Sequence, residues 1–237
     1  MVGNRLGVVE STGDRVTWTY DDSYQLTREQ RAGATSYDTT FFYDAVGNRT
    51  LQVDSGARTT YTYDAANQLI TENSGTVMTY TFDGDGNLSG RLDDAGLPSL
   101  TMTWDYEDRM TSAAFGPLDL TYTAIYDADH RRVDATQSIG GVGGSAKFVW
   151  DRENVLLKTG PEDVAYVVFT YEPQQFGRLL SQRHTGSTNC FHFDALGSTS
   201  HMTDAAQNIT NNYVYRSFGE LLAANEPVDN PLYPFTN

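Results

Sequence analysis

An aromatic residue, one spacer, a second aromatic or apolar residue and then, in most copies, an acidic residue return about every 22 residues along this chain. Self-similarity at so short a period restricts a chain to architectures in which each copy is one supersecondary unit that buries its apolar surface against the next. The copies run Trp18-Thr19-Tyr20-Asp21, Phe41-Phe42-Tyr43-Asp44, Tyr61-Thr62-Tyr63-Asp64, Tyr80-Thr81-Phe82-Asp83 and Met102-Thr103-Trp104-Asp105. They continue through Ile125-Tyr126-Asp127, Phe148-Val149-Trp150-Asp151, Phe169-Thr170-Tyr171-Glu172, Phe191-His192-Phe193-Asp194 and Tyr213-Val214-Tyr215-Arg216. Five residues after the acidic position an apolar residue often returns, at Leu26, Leu69, Leu88, Met110, Leu156 and Leu221.

Alternation with a period of two, rich in aromatics and Thr, predicts a strand that places Tyr61 and Tyr63 on one face and Thr60 and Thr62 on the other. Turn formers follow, at Gly47-Asn48, Ala66-Asn67, Gly86-Asn87 and Glu107-Asp108. Gly and Asn tolerate positive φ, and an Asp hydrogen-bonds the backbone two residues on, so the acidic residue has a conformational reason to be present without any catalytic role. Each unit therefore reads as a β-hairpin. A lone hairpin is marginal in water, so the units must pair edge to edge, with the aromatics stacked in rows across strands.

Composition fits an all-β chain. Aromatics make up 12% of it, with 15 Tyr, and no window shows a sustained 3.6-residue apolar period, so helices should be few and short. The Gly-rich stretch Ile139 to Ser145 reads as a long loop inside the sixth repeat, because the motif resumes at Phe148. A net charge of −15 argues against nucleic acid and against anionic membrane as partners, since both need clustered Lys and Arg. The one cysteine, Cys190, excludes an internal disulfide framework. No apolar run reaches membrane-spanning length and no signal-peptide core is visible, so export to the cell exterior would use a route not visible here.

Local signals for chemistry are weak. Asp83-Gly84-Asp85-Gly86-Asn87 alternates oxygen-bearing side chains as a calcium loop does, with Asp83, Asp85 and Asn87 as the candidate ligands, yet no Glu follows at the spacing a bidentate ligand needs. A hairpin turn accounts for the same residues. His192 and His201 lie near Cys190, but His192 fills the spacer slot held elsewhere by Thr or Val, and no paired zinc motif accompanies it. Acid pairs such as Asp21-Asp22, Asp93-Asp94 and Glu162-Asp163 are what turn-borne Asp produces; a glycosidase would need two carboxylates held across a cleft. No catalytic residue and no cofactor is expected.

These residues resemble YD-repeat proteins, the group that holds bacterial Rhs proteins, the C components of insecticidal toxin complexes, and animal teneurins. The resemblance rests on the structural motif Tyr20, Asp21, Tyr43, Asp44, Gly47, Asn48, Tyr63, Asp64, Phe82, Asp83, Gly86, Asn87, Trp104, Asp105, Tyr126, Asp127, Trp150, Asp151, Phe193, Asp194 and Gly197. The stretch from Phe193 to Thr199, with Thr203-Asp204, Tyr215, Phe218-Gly219-Glu220 and Asn230-Pro231 to Phe235-Thr236, resembles the start of an Rhs core-associated region. Residues 1–188 are accordingly expected to be tandem YD repeats and 189–237 that region, continuous with the same sheet. The fold implied is a continuous curved or spiralling β-sheet strip, forming an open or partly closed shell. In the bacterial family such a shell encloses a C-terminal toxic polypeptide, so the partners implied are further repeats and a toxin or cargo. Gly3-Asn4-Arg5 repeats the register of Gly47-Asn48-Arg49, which suggests a chain starting in mid-hairpin, with edge-to-edge self-association as a physical expectation.

About 20 strands at ~4.8 Å spacing make a strip ~95 Å long, too short to close around a folded cargo domain of ~100 residues. The chain alone is expected to be a wall segment. The competing reading is a surface binding or adhesion module that holds carbohydrate or protein on its aromatic rows, and it requires those rows to face solvent.

Overall fold

The computed structural model describes residues 4–10, 12–184 and 186–225, so the matched stretch Asn230 to Thr236 and Gly3 lie outside the described residues. It is all-β, as the repeat implied. Its contacts divide into two compact units, residues 1–121 and 122–237. The first holds β1 (Gly7–Val9), β2 (Arg15–Tyr20), β3 (Leu26–Ala32), β4 (Tyr37–Tyr43), β5 (Arg49–Asp54), β6 (Ala57–Tyr63), β7 (Leu69–Asn73), β8 (Val77–Phe82), β9 (Leu88–Leu92), β10 (Pro98–Trp104) and β11 (Met110–Phe115). A 3-10 turn at Gly116–Leu118 is the one helical element among the described residues, and β12 (Leu120–Tyr126) contains the boundary. The second unit continues with β13 (Arg132–Ile139), β14 (Val142–Asp151), β15 (Asn154–Thr159), β16 (Ala165–Tyr171), β17 (Leu179–His184), β18 (Ser187–Phe193), β19 (Thr199–Thr203), β20 (Ile209–Tyr215) and β21 (Leu221–Asn225).

Within the first unit β1 to β11 pair in chain order, each antiparallel to the next. Within the second, β13 to β21 do the same. Each motif copy ends the first strand of a hairpin, and its fourth residue opens the turn except at Asp151, which is the last residue of β14.

Ile139 to Ser145 is not a long loop. Gly140 and Gly141 alone form the turn, at φ of 57° and 79°, and the ladder runs straight into it, with Ile139 opposite Val142 and Thr136 opposite Ser145. Two successive residues with positive φ match the right-handed twist of the flanking strands, and glycine adopts them without steric cost. Turn chemistry, rather than loop composition, explains the run of glycines.

Alternation sets the two faces. On β4, Tyr37, Thr39 and Phe41 are buried while Phe42, between them and the turn, is exposed. The buried rings include Phe41, Tyr61, Phe148 and Phe169. Their cover comes from long side chains on neighbouring strands. The Arg49 guanidinium lies over Tyr61 and Phe41, Arg132 over Phe148, and Lys158 between Phe148 and Phe169 at 5.6 Å from each ring centre. Alkyl stems shield the ring faces and the charged heads meet their negative quadrupole, so one strand's cations complete the next strand's core. On the opposite face Thr side chains form exposed cross-strand pairs, such as Thr62 with Thr71 at 2.6 Å.

Candidate functional site

The edge where the motif turns lie repeats one construction. In the turn after β4, the Asp44 N–H donates to Asn48 O and the Gly47 N–H to Asp44 O. The Asp44 carboxylate folds back over the turn, with Oδ1 accepting from the N–H of Val46 at 3.0 Å and of Asn48 at 2.9 Å. Asp21, Asp64, Asp83, Asp105, Asp127 and Asp194 do the same, and so do Asp93 and Asp204 at the opposite edge. A carboxylate that accepts two backbone N–H bonds is stabilised in its charged form. The Asn87 backbone N–H foremost holds Asp83 below the usual carboxylate range, and that of Arg131 does so for Asp127.

The fourth turn residue is left-handed throughout. Gly47, Asn67, Gly86, Asp108 and Gly197 occupy it, as the turn signals implied, but so do Tyr24, His130 and Gln207. Glycine is favoured there and is not required, because the Asp cap holds the turn even when the residue costs about 1–2 kcal/mol of left-handed strain.

In five motif copies the last aromatic has a job that its place in the repeat does not reveal. The ladder between β3 and β4 stops at Arg28 and Thr40, short of the turn edge. Tyr43 spans the gap, its hydroxyl donating to Leu26 O at 2.7 Å. Tyr20 donates to Arg5 O, Tyr63 to Arg49 O, and the indoles of Trp104 and Trp150 to Leu88 O and Arg132 O, at 2.8 to 3.1 Å. Leu26, Arg49, Leu88 and Arg132 each open the return strand of the preceding hairpin, β3, β5, β9 and β13, and Arg5 lies just ahead of β1. The signal was present in the residue types: Phe serves freely two positions earlier, whereas Tyr or Trp, with a polar tip, dominates the place before the acidic residue. Arg5 accepts as Arg49 does, in keeping with the shared register of Asn4-Arg5 and Asn48-Arg49.

A β-bulge adjoins every one of these aromatics whose pairing is described. The register slips between Thr19 and Tyr20, Phe42 and Tyr43, Thr62 and Tyr63, and so on to Val214 and Tyr215. The extra residue sits on the return strand. Where it is Thr27, Thr50, Thr111 or Ser200, its hydroxyl donates to the carbonyl of the spacer residue opposite, replacing part of the lost ladder. Turn tips are also tied to one another, Asn48 Nδ2 donating to Asn67 Oδ1 and Asn87 Nδ2 to Asp108 Oδ1.

The calcium candidates fall inside this scheme. Asp83 Oδ1 is turned onto the backbone of its own turn, Oδ2 accepts from Asn87 Nδ2 at 3.3 Å, and Asn87 presents its amide donors to two carboxylates. His192 and His201 face each other across β18 and β19 with rings stacked at 4.3 Å, and His192 Nε2 and His201 Nδ1 engage the hydroxyls of Thr203 and Ser200. Burial first, and the neighbouring His192 second, lower the His201 pKa.

Hairpins joined to their predecessors by a side-chain donor, as at Tyr20, Tyr43, Tyr63, Trp104 and Trp150, define a repeat scaffold in which one unit completes the edge of the one before. Residues 43–77, which span the turn after β4 through the start of β8, match the RHS Repeat family, the repeat that the motif resembles. The chain is also similar to the tRNA3(Ser)-specific nuclease WapA of Bacillus spizizenii, at 27% identity over 207 residues, covering 84% of this chain and 8% of that protein. The tRNA nuclease WapA of Bacillus subtilis is 27% identical over 205 residues, with the same coverage. This chain therefore spans under a tenth of the length of these relatives. Among solved structures, the complex TcdB2-TccC3 without its hypervariable C-terminal region gives a TM-score of 0.45 at 11% identity, over 93% of this chain and 18% of that one. Among the described residues no helix is long and apolar enough to cross a membrane, which says nothing of a β-barrel.

Proposed function

We propose that this chain is a wall segment of an Rhs-type shell, exported from the cell, whose tandem hairpins enclose a toxic polypeptide carried further along the same polypeptide. The observation that carries this reading is the splice from the motif Tyr or Trp, at Tyr20, Tyr43, Tyr63, Trp104 and Trp150, to a carbonyl of the preceding segment. Where Tyr or Trp holds that place, one repeat donates to the last and the same construction can accept the next, so the strip is extensible without a dedicated partner. Its own role is structural, with no catalysis: the carboxylates of Asp21, Asp44, Asp64, Asp83, Asp105, Asp127 and Asp194 are committed to backbone N–H groups of their own turns. Relatives named as nucleases support the reading that a chain of this kind accompanies a toxin, while their nuclease activity belongs to those proteins.

An adhesion module working through its aromatic rows is disfavoured, because Phe41, Tyr61, Phe148 and Phe169 are buried under cations. The test is to express the chain together with its neighbouring coding sequence and to digest the product with a broad-specificity protease. The shell reading expects additional repeats and a downstream polypeptide that survives digestion until the repeats are unfolded. A reading frame confined to these residues, or a downstream segment cut as fast as an exposed tail, would overturn it.

A further inference from the structure

At one place the repeat breaks its own rule. Elsewhere the motif Asp opens a five-residue turn and caps it. At Asp151 the turn between β14 and β15 is cut to two residues, Arg152 and Glu153, with Asp151 directly opposite Asn154 and Arg152 left-handed at φ 55°. The next turn along the same edge is lengthened instead. It runs from Glu172 to Arg178, closed by the Glu172 N–H donating to Arg178 O at 2.9 Å and held by the Arg178 guanidinium on the Glu172 carboxylate. Gly177 is packed so tightly in this loop that a Cβ there would lie 2.2 Å from Glu172 O. A short turn beside a long one leaves a notch of about 460 Å³, open to solvent. That volume lies within the ~300–1,000 Å³ range of small-ligand pockets.

Two motif residues that line the notch have lost their structural duties. Asp151 has no five-residue turn to cap, and its carboxylate has no protein partner among the described residues. Tyr171 holds the position whose hydroxyl, in Tyr20, Tyr43 and Tyr63, is spent on the preceding hairpin; here the hydroxyl makes no hydrogen bond among the described residues. Its ring is fixed against Phe169, and burial raises its pKa, so the hydroxyl is a neutral donor. Around them, Arg152, Glu153, Asn154 and Gln175 likewise present side chains without protein partners among the described residues.

We propose that this notch is a binding site for a neutral, hydroxyl-rich ligand of the size of a mono- or disaccharide. The lining selects that chemistry by exclusion and by match. Asp151 and Glu153 repel an anion, and Arg152 together with the amide donors would be wasted on a cation. Carboxylates, amides, a guanidinium and a phenol mix acceptors with donors on one short edge, and adjacent sugar hydroxyls both donate and accept. The half-buried face of Tyr171 supplies the aromatic surface on which a sugar ring packs. The proposal does not rest on the shell reading, since the notch needs only β14 to β17.

Saturation-transfer-difference NMR on the full chain, with maltose, cellobiose and diacetylchitobiose as probes, tests it. At least one disaccharide is expected to receive saturation. Tyr171→Phe, which keeps the ring contacts, and Asp151→Asn, on an exposed side chain, should each weaken that binding about tenfold, the loss of one hydrogen bond. Circular dichroism of both variants confirms that the hairpins remain. No transfer to any of the three sugars at millimolar concentration would overturn the proposal, as would transfer that both variants leave unchanged. Preferential binding of arginine ethyl ester over the sugars would overturn it too, and would reassign the notch to cations.

Discussion

Removing one hydroxyl tests whether the motif tyrosine is a splice between hairpins or only a buried ring. In Tyr43→Phe the ring stays in place and a single 2.7 Å hydrogen bond to Leu26 O is lost. The bond joins a half-buried donor to a carbonyl that the β3–β4 ladder no longer reaches, so its loss leaves that carbonyl to water at the edge. A net intramolecular hydrogen bond contributes about 0.5–1.5 kcal/mol, and about 1 kcal/mol is expected here. For a chain of this size that corresponds to a drop in melting temperature of roughly 2–4 °C. Tyr106→Phe is the control, because Tyr106 is 90% exposed. The acceptors of Tyr20, Tyr43 and Tyr63 are separate carbonyls, so the triple Phe variant should lose about 3 kcal/mol by near-additivity. Amide exchange should accelerate at the edge before it does at mid-strand. Urea denaturation of Tyr43→Phe that overlays the Tyr106→Phe control would refute the splice. The converse change is sharper still: Phe82 occupies the same place without a hydroxyl, and Phe82→Tyr should gain about 1 kcal/mol by reaching the carbonyl of Leu69.

Asp64→Ala removes the two bonds that its carboxylate accepts from Ala66 and Gln68, and should cost about 1 kcal/mol in denaturant unfolding, comparable to loss of a helix N-cap. Gly86→Ala should cost about 1–2 kcal/mol because φ there is 93°; an unchanged midpoint would argue against the left-handed turn. Lys158, buried between two rings and beside Arg132, has its pKa lowered by burial first and that charge second, to about 8. The unfolded chain, with the ordinary value near 10.5, then binds more protons between pH 8 and 10.5, so Lys158 costs stability below pH 8 and that cost is relieved as pH rises through the interval. Lys158→Met should flatten the stability profile between those limits, and a profile identical to the parent's would refute the assignment.

Much of the architecture was legible in the sequence because a period of about 22 residues and an alternation of two leave few alternatives to tandem hairpins. The turn role of Asp44 or Asp83 was legible for the same reason: Asp bonds locally to backbone two residues on, and locality is what sequence reports. The carbonyl partner of Tyr43 was not, since Leu26 lies 17 residues away and is brought close only by pairing of β3 with β4. The glycine run at 139–145 misled because composition marks a loop while two positive φ values mark a hairpin tip. The apolar return at Leu156 also misled: with the turn after Asp151 cut short, Val155 takes the place opposite Trp150 and Leu156 becomes the bulge residue, 39% exposed.

By itself, then, the sequence determined the repeating hairpin, the turn chemistry and the alternation of faces, all of which depend on residues within a few positions of one another. Tertiary structure alone decided that Arg49, Arg132 and Lys158 would roof the rings of neighbouring strands, that the motif Tyr and Trp would splice hairpins, and that Asp151 and Tyr171 would meet in a notch. Those outcomes depend on strand pairing and register, in which a change of turn length by a few residues moves every later side chain relative to its neighbour.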